Sequence, residues 1–140
     1  MRRCRPRRIG WLDLVALRYA SRLNTLSALA ITKLDVLSGF ERILVCTRYR
    51  GEDEAIFDQF PYHQSVLHHA TGEYIELEGW SEDIGECREE SELPQAARDY
   101  LAFIADFIGV PVAMIGVGPA REQTIWTAAG AETLVAQAAA

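Results

Sequence analysis

The chain has 140 residues, the size of one ordinary domain and enough to bury a hydrophobic core. Its composition, 49% apolar and 24% charged, is typical of a soluble globular protein. No apolar run reaches membrane-spanning length, and Asp13 stands where the apolar region of a signal peptide would lie, so the sequence argues against membrane insertion and secretion.

The net charge of −6 hides a strong asymmetry along the chain. Residues 1–50 contain eleven Lys or Arg and three acidic residues, whereas residues 51–140 contain three and seventeen. This split indicates that the first third faces an anion, either a nucleic acid or a phosphorylated metabolite. Cys4, Cys46 and Cys87 are odd in number and scattered, which fits neither a disulfide framework nor a metal cluster and favours the reducing cytoplasm.

The first elements can be placed from turn and capping signals. Residues 1–10 are expected to form an arginine-rich loop, because Pro6 and Gly10 disfavour regular structure. Asp13 is a suitable N-cap for a helix that runs to about residue 24. The apolar residues of this helix lie roughly on one face: Leu14, Leu17 and Leu23.

Strand-like patterns recur through the rest of the chain. The segments are Leu26–Leu37, Ile43–Tyr49, Glu73–Leu77, Val112–Val117 and Gln123–Trp126. The first is expected to be buried and the third half exposed, since polar and apolar residues alternate there. Polar composition predicts loops at Gly51–Asp58 and Ser81–Glu92, while Ser65–Ala70 fits neither helix nor strand clearly.

The clearest helix opens after Pro94 and ends at Gly109. Its apolar stripe comprises Ala97, Tyr100, Leu101, Ile104 and Ile108. The Ala-rich residues 127–140 are expected to form a frayed or weakly helical tail. These patterns predict a single domain of mixed α/β (α+β) class, with about five strands and two main helices.

Lys33 and Asp35 follow an apolar run and are the most informative pair in the chain. Charges at the end of a buried strand are costly unless they are paired or used. A carboxylate can accept two hydrogen bonds from the N1–H and amine of guanine, while a lysine stem lies along the purine face. Adenine lacks this pair of donors, so such an Asp would select GTP over ATP. The alternative is a strand end with a surface ion pair.

Several motifs occur together in an order that identifies a family. They are Arg2–Arg8, Gly10–Asp13, Thr32–Leu37, Gly79–Asp83, Leu93–Pro94 and Gly116–Pro119. From about Arg5 to Trp126 the chain resembles the C-terminal part of adenylosuccinate synthetase, a family whose members make adenylosuccinate from IMP, aspartate and GTP in AMP biosynthesis. The resemblance covers well under half of a full-length member.

The resemblance implies that Lys33 and Asp35 bind the guanine of GTP. It also implies that Gly116 and Gly118 lie against the base through backbone groups, since glycines permit close approach. Many members have Ser where this chain has Gly116, so a hydroxyl contact is lost here while the backbone contact can remain. The alternative for these glycines is a simple turn.

The arginine loop carries the other implied contacts. By resemblance, Arg5 contacts IMP and aspartate, and Arg7 holds an aspartate carboxylate. Members of the family carry small and hydroxyl residues before the first loop arginine, where this chain has Met1–Cys4, so those hydroxyl contacts do not transfer. The alternative is a solvated basic terminus.

The sequence contains no Gly-rich phosphate-binding loop. In the family that loop, the Mg²⁺ ligands and the catalytic Asp and His belong to the N-terminal region. We therefore expect no catalytic residue and no metal ligand in this chain, and no activity of the chain alone. The intact enzyme is expected to be a cytoplasmic homodimer that includes the N-terminal region and requires Mg²⁺.

Two other functions stay open at this point. One is a truncated, catalytically inactive fragment or partner-binding module. The other is a nucleic-acid-binding module with Arg2–Arg8 as a phosphate-contacting arm. The acidic residues 51–140 argue against the second, because such a module needs further basic residues on one face.

Overall fold

A computed structural model of the chain describes residues 9–132. The strands are β1 (Leu12–Asp13), β2 (Leu29–Ile31), β3 (Arg42–Arg50), β4 (Ile56–Phe57), β5 (Thr71–Glu78), β6 (Val112–Gly116) and β7 (Thr124–Trp126). The helices are α1 (Leu14–Leu23), α2 (Gln64–His69) and α3 (Gln95–Ile108). The fold is mixed α/β, as predicted.

The strands form two separate sheets. In the first, β3 pairs with β5 in antiparallel register, and with the short strands β1, in parallel, and β4, in antiparallel orientation. The second has the order β2-β6-β7, with β2 parallel and β7 antiparallel to β6. Within residues 9–132, β1 and β2 therefore each pair with a single neighbouring strand.

Helix α3 is the shared support of both sheets, since it contacts β5, β6 and α1. All five residues of its predicted apolar stripe are buried. They pack in one core with side chains from both sheets and both main helices, among them Leu14, Val45 and Ile115. Gly109 caps the helix in the left-handed conformation that its sequence position predicts.

Helix α1 begins as predicted, because the Asp13 carboxylate accepts a hydrogen bond from the Ala16 amide at 2.9 Å. The helix ends at Leu23, one residue before the predicted limit. Leu23 is 66% exposed whereas Leu14 is fully buried, so the prediction that they share one face is wrong. The spacing of Leu14, Leu17 and Leu23 covers more than the narrow arc that packs on the core.

The predicted strand Leu26–Leu37 is largely wrong, because only Leu29–Ile31 is extended. Lys33 adopts a left-handed conformation and begins a 3₁₀ turn, Leu34–Leu37. The turn places Leu34 in the core, whereas Leu26 and Val36 of the same predicted strand are exposed, so the segment is buried only in part.

Smaller differences concern short elements. Strand β4 lies in the predicted loop Gly51–Asp58, and both it and β1 are two residues long, too short for a periodic pattern. The segment Ser65–Ala70, which fitted neither pattern, overlaps α2. Thr127 is buried and residues 128–132 are helical, while the rest of the predicted tail lies outside the described residues.

We expect Ile104→Ala to lower the free energy of unfolding by about 2–4 kcal/mol, because it opens a cavity where α3 meets the core. Ile104 is fully buried, whereas Ile9 is 96% exposed. The matched control Ile9→Ala should change stability by less than about 0.5 kcal/mol. Urea unfolding followed by circular dichroism measures both, and equal effects would contradict the position of α3.

Candidate functional site

Parallel pairing of β2 and β6 brings together the two motifs predicted to bind guanine. Ile31 lies opposite Ile115, so both strands end at the same edge of the sheet. A Cβ atom placed on Gly116 would lie 3.3 Å from the Thr32 Cα and 3.6 Å from the Lys33 backbone nitrogen. The carboxyl ends of parallel strands are where ligands bind in open α/β sheets.

Lys33 has the backbone dihedrals φ 63° and ψ 37°. This left-handed conformation is uncommon for a residue with a Cβ and costs about 1 kcal/mol or more. The chain turns at this point, so that Leu34 enters the core while Lys33 is exposed and Asp35 is half buried. Backbone strain of this kind concentrates at functional sites.

No ion pair or side-chain hydrogen bond within residues 9–132 involves Lys33 or Asp35. The surface ion pair considered as an alternative is therefore not formed between these two residues. The backbone carbonyl groups are used locally: Lys33 accepts from the Val36 amide at 3.3 Å and Asp35 from the Ser38 amide at 3.1 Å. The carboxylate and the ammonium thus remain available for a ligand.

An open groove of about 290 Å³ lies between β1 and β2, directly beside Lys33. Its lining is mainly apolar and comprises Leu12, Leu17, Ala30, Ile31, Thr32, Lys33, Leu34, Leu37, Tyr100 and Ile104. The groove connects the start of the fold with the Lys33 turn, because Leu12 belongs to β1 and Lys33 follows β2.

Arg5 and Arg7 lie outside the described residues, and the chain that follows them enters the fold at β1. Asp13, at the end of β1, caps α1 and also accepts a hydrogen bond from the Tyr49 hydroxyl of β3. Burial, and then this hydrogen bond, raise the pKa of Tyr49 far above its ordinary value. Burial also raises the pKa of the Cys46 thiol beside it, so both side chains stay neutral at pH 7.

Gly118 lies in the connection between β6 and β7, two residues beyond Gly116. A Cβ atom at Gly118 would lie 2.3 Å from the side-chain oxygen of Gln123. Gln123 is not among the predicted site residues, because its only sequence signal is a polar residue at the start of a short predicted strand. Trp80, in the Gly79–Asp83 motif, is buried and donates from its indole nitrogen to the Ser38 hydroxyl at 3.0 Å.

Within residues 9–132, no three His, Cys, Asp or Glu side chains are grouped closely enough to hold a metal ion. His69 instead lies 2.9 Å from the carboxylate of Glu52. The same part of the chain contains no helix with the length and apolar character that crossing a membrane requires.

Gly116→Ala should displace the Lys33 turn, because the new methyl group would press on the backbone at Thr32. We expect a loss of about 1 kcal/mol in stability and clear changes in the amide chemical shifts of residues 32–35. Gly10→Ala is the matched control, since no atom lies within 4 Å of a Cβ there. Unchanged shifts in Gly116→Ala would show that the two strand ends are not in contact.

A family model described as adenylosuccinate synthetase matches residues 1–125. The adenylosuccinate synthetase of Acidothermus cellulolyticus is 50% identical over 121 residues, which are 86% of this chain and 28% of that protein. The corresponding protein of Pelotomaculum thermopropionicum is 52% identical over 124 residues, or 89% of this chain and 29% of that one. The chain thus spans less than a third of these relatives.

The fold has a counterpart among solved structures. A fully ligated adenylosuccinate synthetase from Plasmodium falciparum superposes with a TM-score of 0.80 and 35% sequence identity. The match covers 84% of this chain and 28% of that one.

Proposed function

Because the chain belongs to the adenylosuccinate synthetase family, we propose that it supplies the guanine-binding and aspartate-binding part of a GTP-dependent ligase that joins IMP and L-aspartate. The observation that carries this proposal is the contact between Gly116 and the Thr32–Lys33 backbone. It brings the two motifs that would bind one base to the same end of the sheet.

The base would be read by Asp35 and Lys33. The half-buried carboxylate of Asp35 has no partner among residues 9–132 and can accept hydrogen bonds from N1–H and the amine of guanine. The exposed Lys33 can lie along the purine face with its ammonium in solvent. Gly116 and Gly118 let the backbone approach the same base.

Arg5 and Arg7 would bind the other substrates, Arg5 contacting IMP and aspartate and Arg7 a carboxylate of aspartate. Guanidinium groups suit these anions because their paired N–H donors match carboxylate and phosphate oxygens. In the proposed reaction GTP phosphorylates the 6-oxygen of IMP, and the aspartate amine then displaces phosphate. This chain binds and orients the reactants, which lowers the entropic part of the barrier.

Mg²⁺ would supply charge stabilisation at the transferring phosphoryl group. We assign the metal, and the acid–base groups, to the part of the enzyme that this chain does not cover, because the Gly-rich phosphate-binding loop of the family is not in this sequence.

The groove between β1 and β2 would receive that remaining part in the intact homodimer. Both bordering strands have one unpaired edge within residues 9–132, and the lining is mainly apolar. Exposed strand edges and apolar grooves favour association with another segment.

The free thiols Cys46 and Cys87 support a reducing, cytoplasmic location.

The proposed role of this chain in the ligase can be tested in a chimera that joins the preceding region of the Acidothermus cellulolyticus relative to this chain. We expect the chimera to form adenylosuccinate from IMP, aspartate and GTP, and the isolated chain to form none. Turnover by the isolated chain would contradict the assignment of catalysis to the other region. A chimera that folds but does not turn over would favour the partner-binding function.

In the chimera, Asp35→Asn should weaken the use of GTP, because an amide donor would face a guanine donor. Xanthosine triphosphate should gain relative to GTP, since its extra carbonyl suits the new N–H. The measurement is the ratio of kcat/KM for the two nucleotides. Asp106→Asn, at an exposed residue of α3, is the control and should leave the ratio unchanged. A constant ratio in Asp35→Asn would mean that Asp35 does not read the base.

Arg7→Leu in the chimera should raise the KM for aspartate on the order of a hundredfold and leave the KM for GTP nearly unchanged. A charge-assisted bidentate contact of this kind contributes roughly 2–4 kcal/mol. Arg48→Leu, at an exposed residue of β3, controls for the general loss of positive charge. Equal effects on both substrates would indicate a structural arginine.

A further inference from the structure

Hydrogen bonds of one residue, Gln123, hold together the loop between β6 and β7. The Val117 amide donates to the Gln123 carbonyl at 2.9 Å, and the Gln123 amide donates to the Ala120 carbonyl at 3.1 Å. The side-chain oxygen of Gln123 accepts from the Ala120 amide at 3.1 Å. Three hydrogen bonds to one residue therefore fix the path of residues 117–123.

The same side chain ties this loop to a distant segment. Its amide nitrogen donates to the Gly85 carbonyl at 3.0 Å, across 38 positions of the chain. The side-chain oxygen accepts from the Ala120 amide and the side-chain nitrogen donates to the Gly85 carbonyl. These two hydrogen bonds determine the orientation of the Gln123 amide. Gln123 thereby links the β6–β7 loop to the segment around Gly85.

Glycine at position 118 makes room for this amide. A Cβ atom at Gly118 would lie 2.3 Å from the Gln123 side-chain oxygen, whereas one at Gly85 would lie 3.4 Å from its nitrogen, an ordinary contact distance. Gly118 must therefore be glycine as long as Gln123 keeps its position. The residue implied in base contact and the side chain that holds the loop are packed against each other.

The segment that Gln123 reaches is itself attached to the Lys33 turn. Ile84 is fully buried, and Trp80 donates to the Ser38 hydroxyl directly after the turn. The Gly39 amide donates to the Trp80 carbonyl at 2.8 Å. A connected path thus runs from the Lys33 turn by hydrogen bonds to Trp80, along the chain to Gly85 and by a hydrogen bond to Gln123, and the β6–β7 sheet returns it through Gly116 to Thr32.

We propose that Gln123 is a positioning residue of the guanine site. It fixes the backbone at Gly116 and Gly118 relative to Lys33 and Asp35 by tying the β6–β7 loop to Gly85. This inference rests on the proposed function, because it concerns the same base. Gln123 does not itself contact the base; it acts through the backbone that does.

The test compares GTP and ATP binding to the 140-residue chain by titration in ¹H–¹⁵N NMR spectra. The wild-type chain should prefer GTP, and Gln123→Ala should reduce the ratio of the two affinities about tenfold, the effect of losing one or two hydrogen bonds. Simple destabilisation would lower both affinities by the same factor and leave their ratio unchanged. The control Gln59→Ala removes an exposed glutamine and should change neither the two affinities nor their ratio.

Two further variants compare positioning with base reading. Gly118→Ala should reduce the GTP preference at least as much as Gln123→Ala does, because the methyl group displaces the glutamine amide and also stands where the backbone approaches the base. Like Gln123→Ala, it should speed hydrogen exchange of the Ala120 amide. Asp35→Asn should reduce the preference while leaving hydrogen exchange of the Ala120 amide unchanged.

Hydrogen exchange without nucleotide gives an independent readout. Gln123→Ala should speed exchange of the Ala120 and Val117 amides and shift the resonances of Thr32 and Lys33. Unchanged exchange and shifts would overturn the positioning role whatever the nucleotide result. A wild-type chain with no preference for GTP would overturn the proposed function, and a preference kept by Gln123→Ala would overturn only the role of Gln123.

Discussion

Burial of the α3 stripe is the interaction on which the rest of the structure depends. The two sheets do not share a strand within residues 9–132, so their relative position is set by what packs between them. Tyr100 and Ile104 fill that place and also line the groove beside Lys33. The floor of the candidate site is therefore part of the hydrophobic core, and a defect in one is transmitted to the other.

Helix α3 could be predicted from the sequence because its signals agree. An apolar stripe of period 3.6, a proline at the start and a glycine at the end all point to the same limits. The long strands β3 and β5 were predictable for a similar reason, since each has enough residues to show its composition or alternation. These elements could be predicted from the sequence because their local preferences agree with their packing.

The Lys33 turn shows where such inference fails. The residues Leu26–Leu37 have strand-like composition, yet the chain bends at Lys33 and buries Leu34 through a turn. No local signal marks a lysine for the left-handed region, which glycine and asparagine usually occupy. The residue types of the candidate site are those that the proposed base recognition would need, whereas the geometry that assembles them depends on contacts with β6. The link from Gln123 to Gly85 could not be predicted from the sequence, because the two residues lie 38 positions apart.

The left-handed backbone of Lys33 sets two demands on one position. The conformation favours a residue without a Cβ, whereas the proposed contact with a purine would need a long, charged side chain. A glycine would relax the backbone and leave nothing to cover the base, and a β-branched residue would satisfy neither demand. The turn is consequently held by its surroundings, the buried Leu34 on one side and the Gly116 backbone on the other, and not by the preference of its own residue. A chain that kept this lysine while losing those neighbours would carry the same side chain on a backbone that points it in another direction.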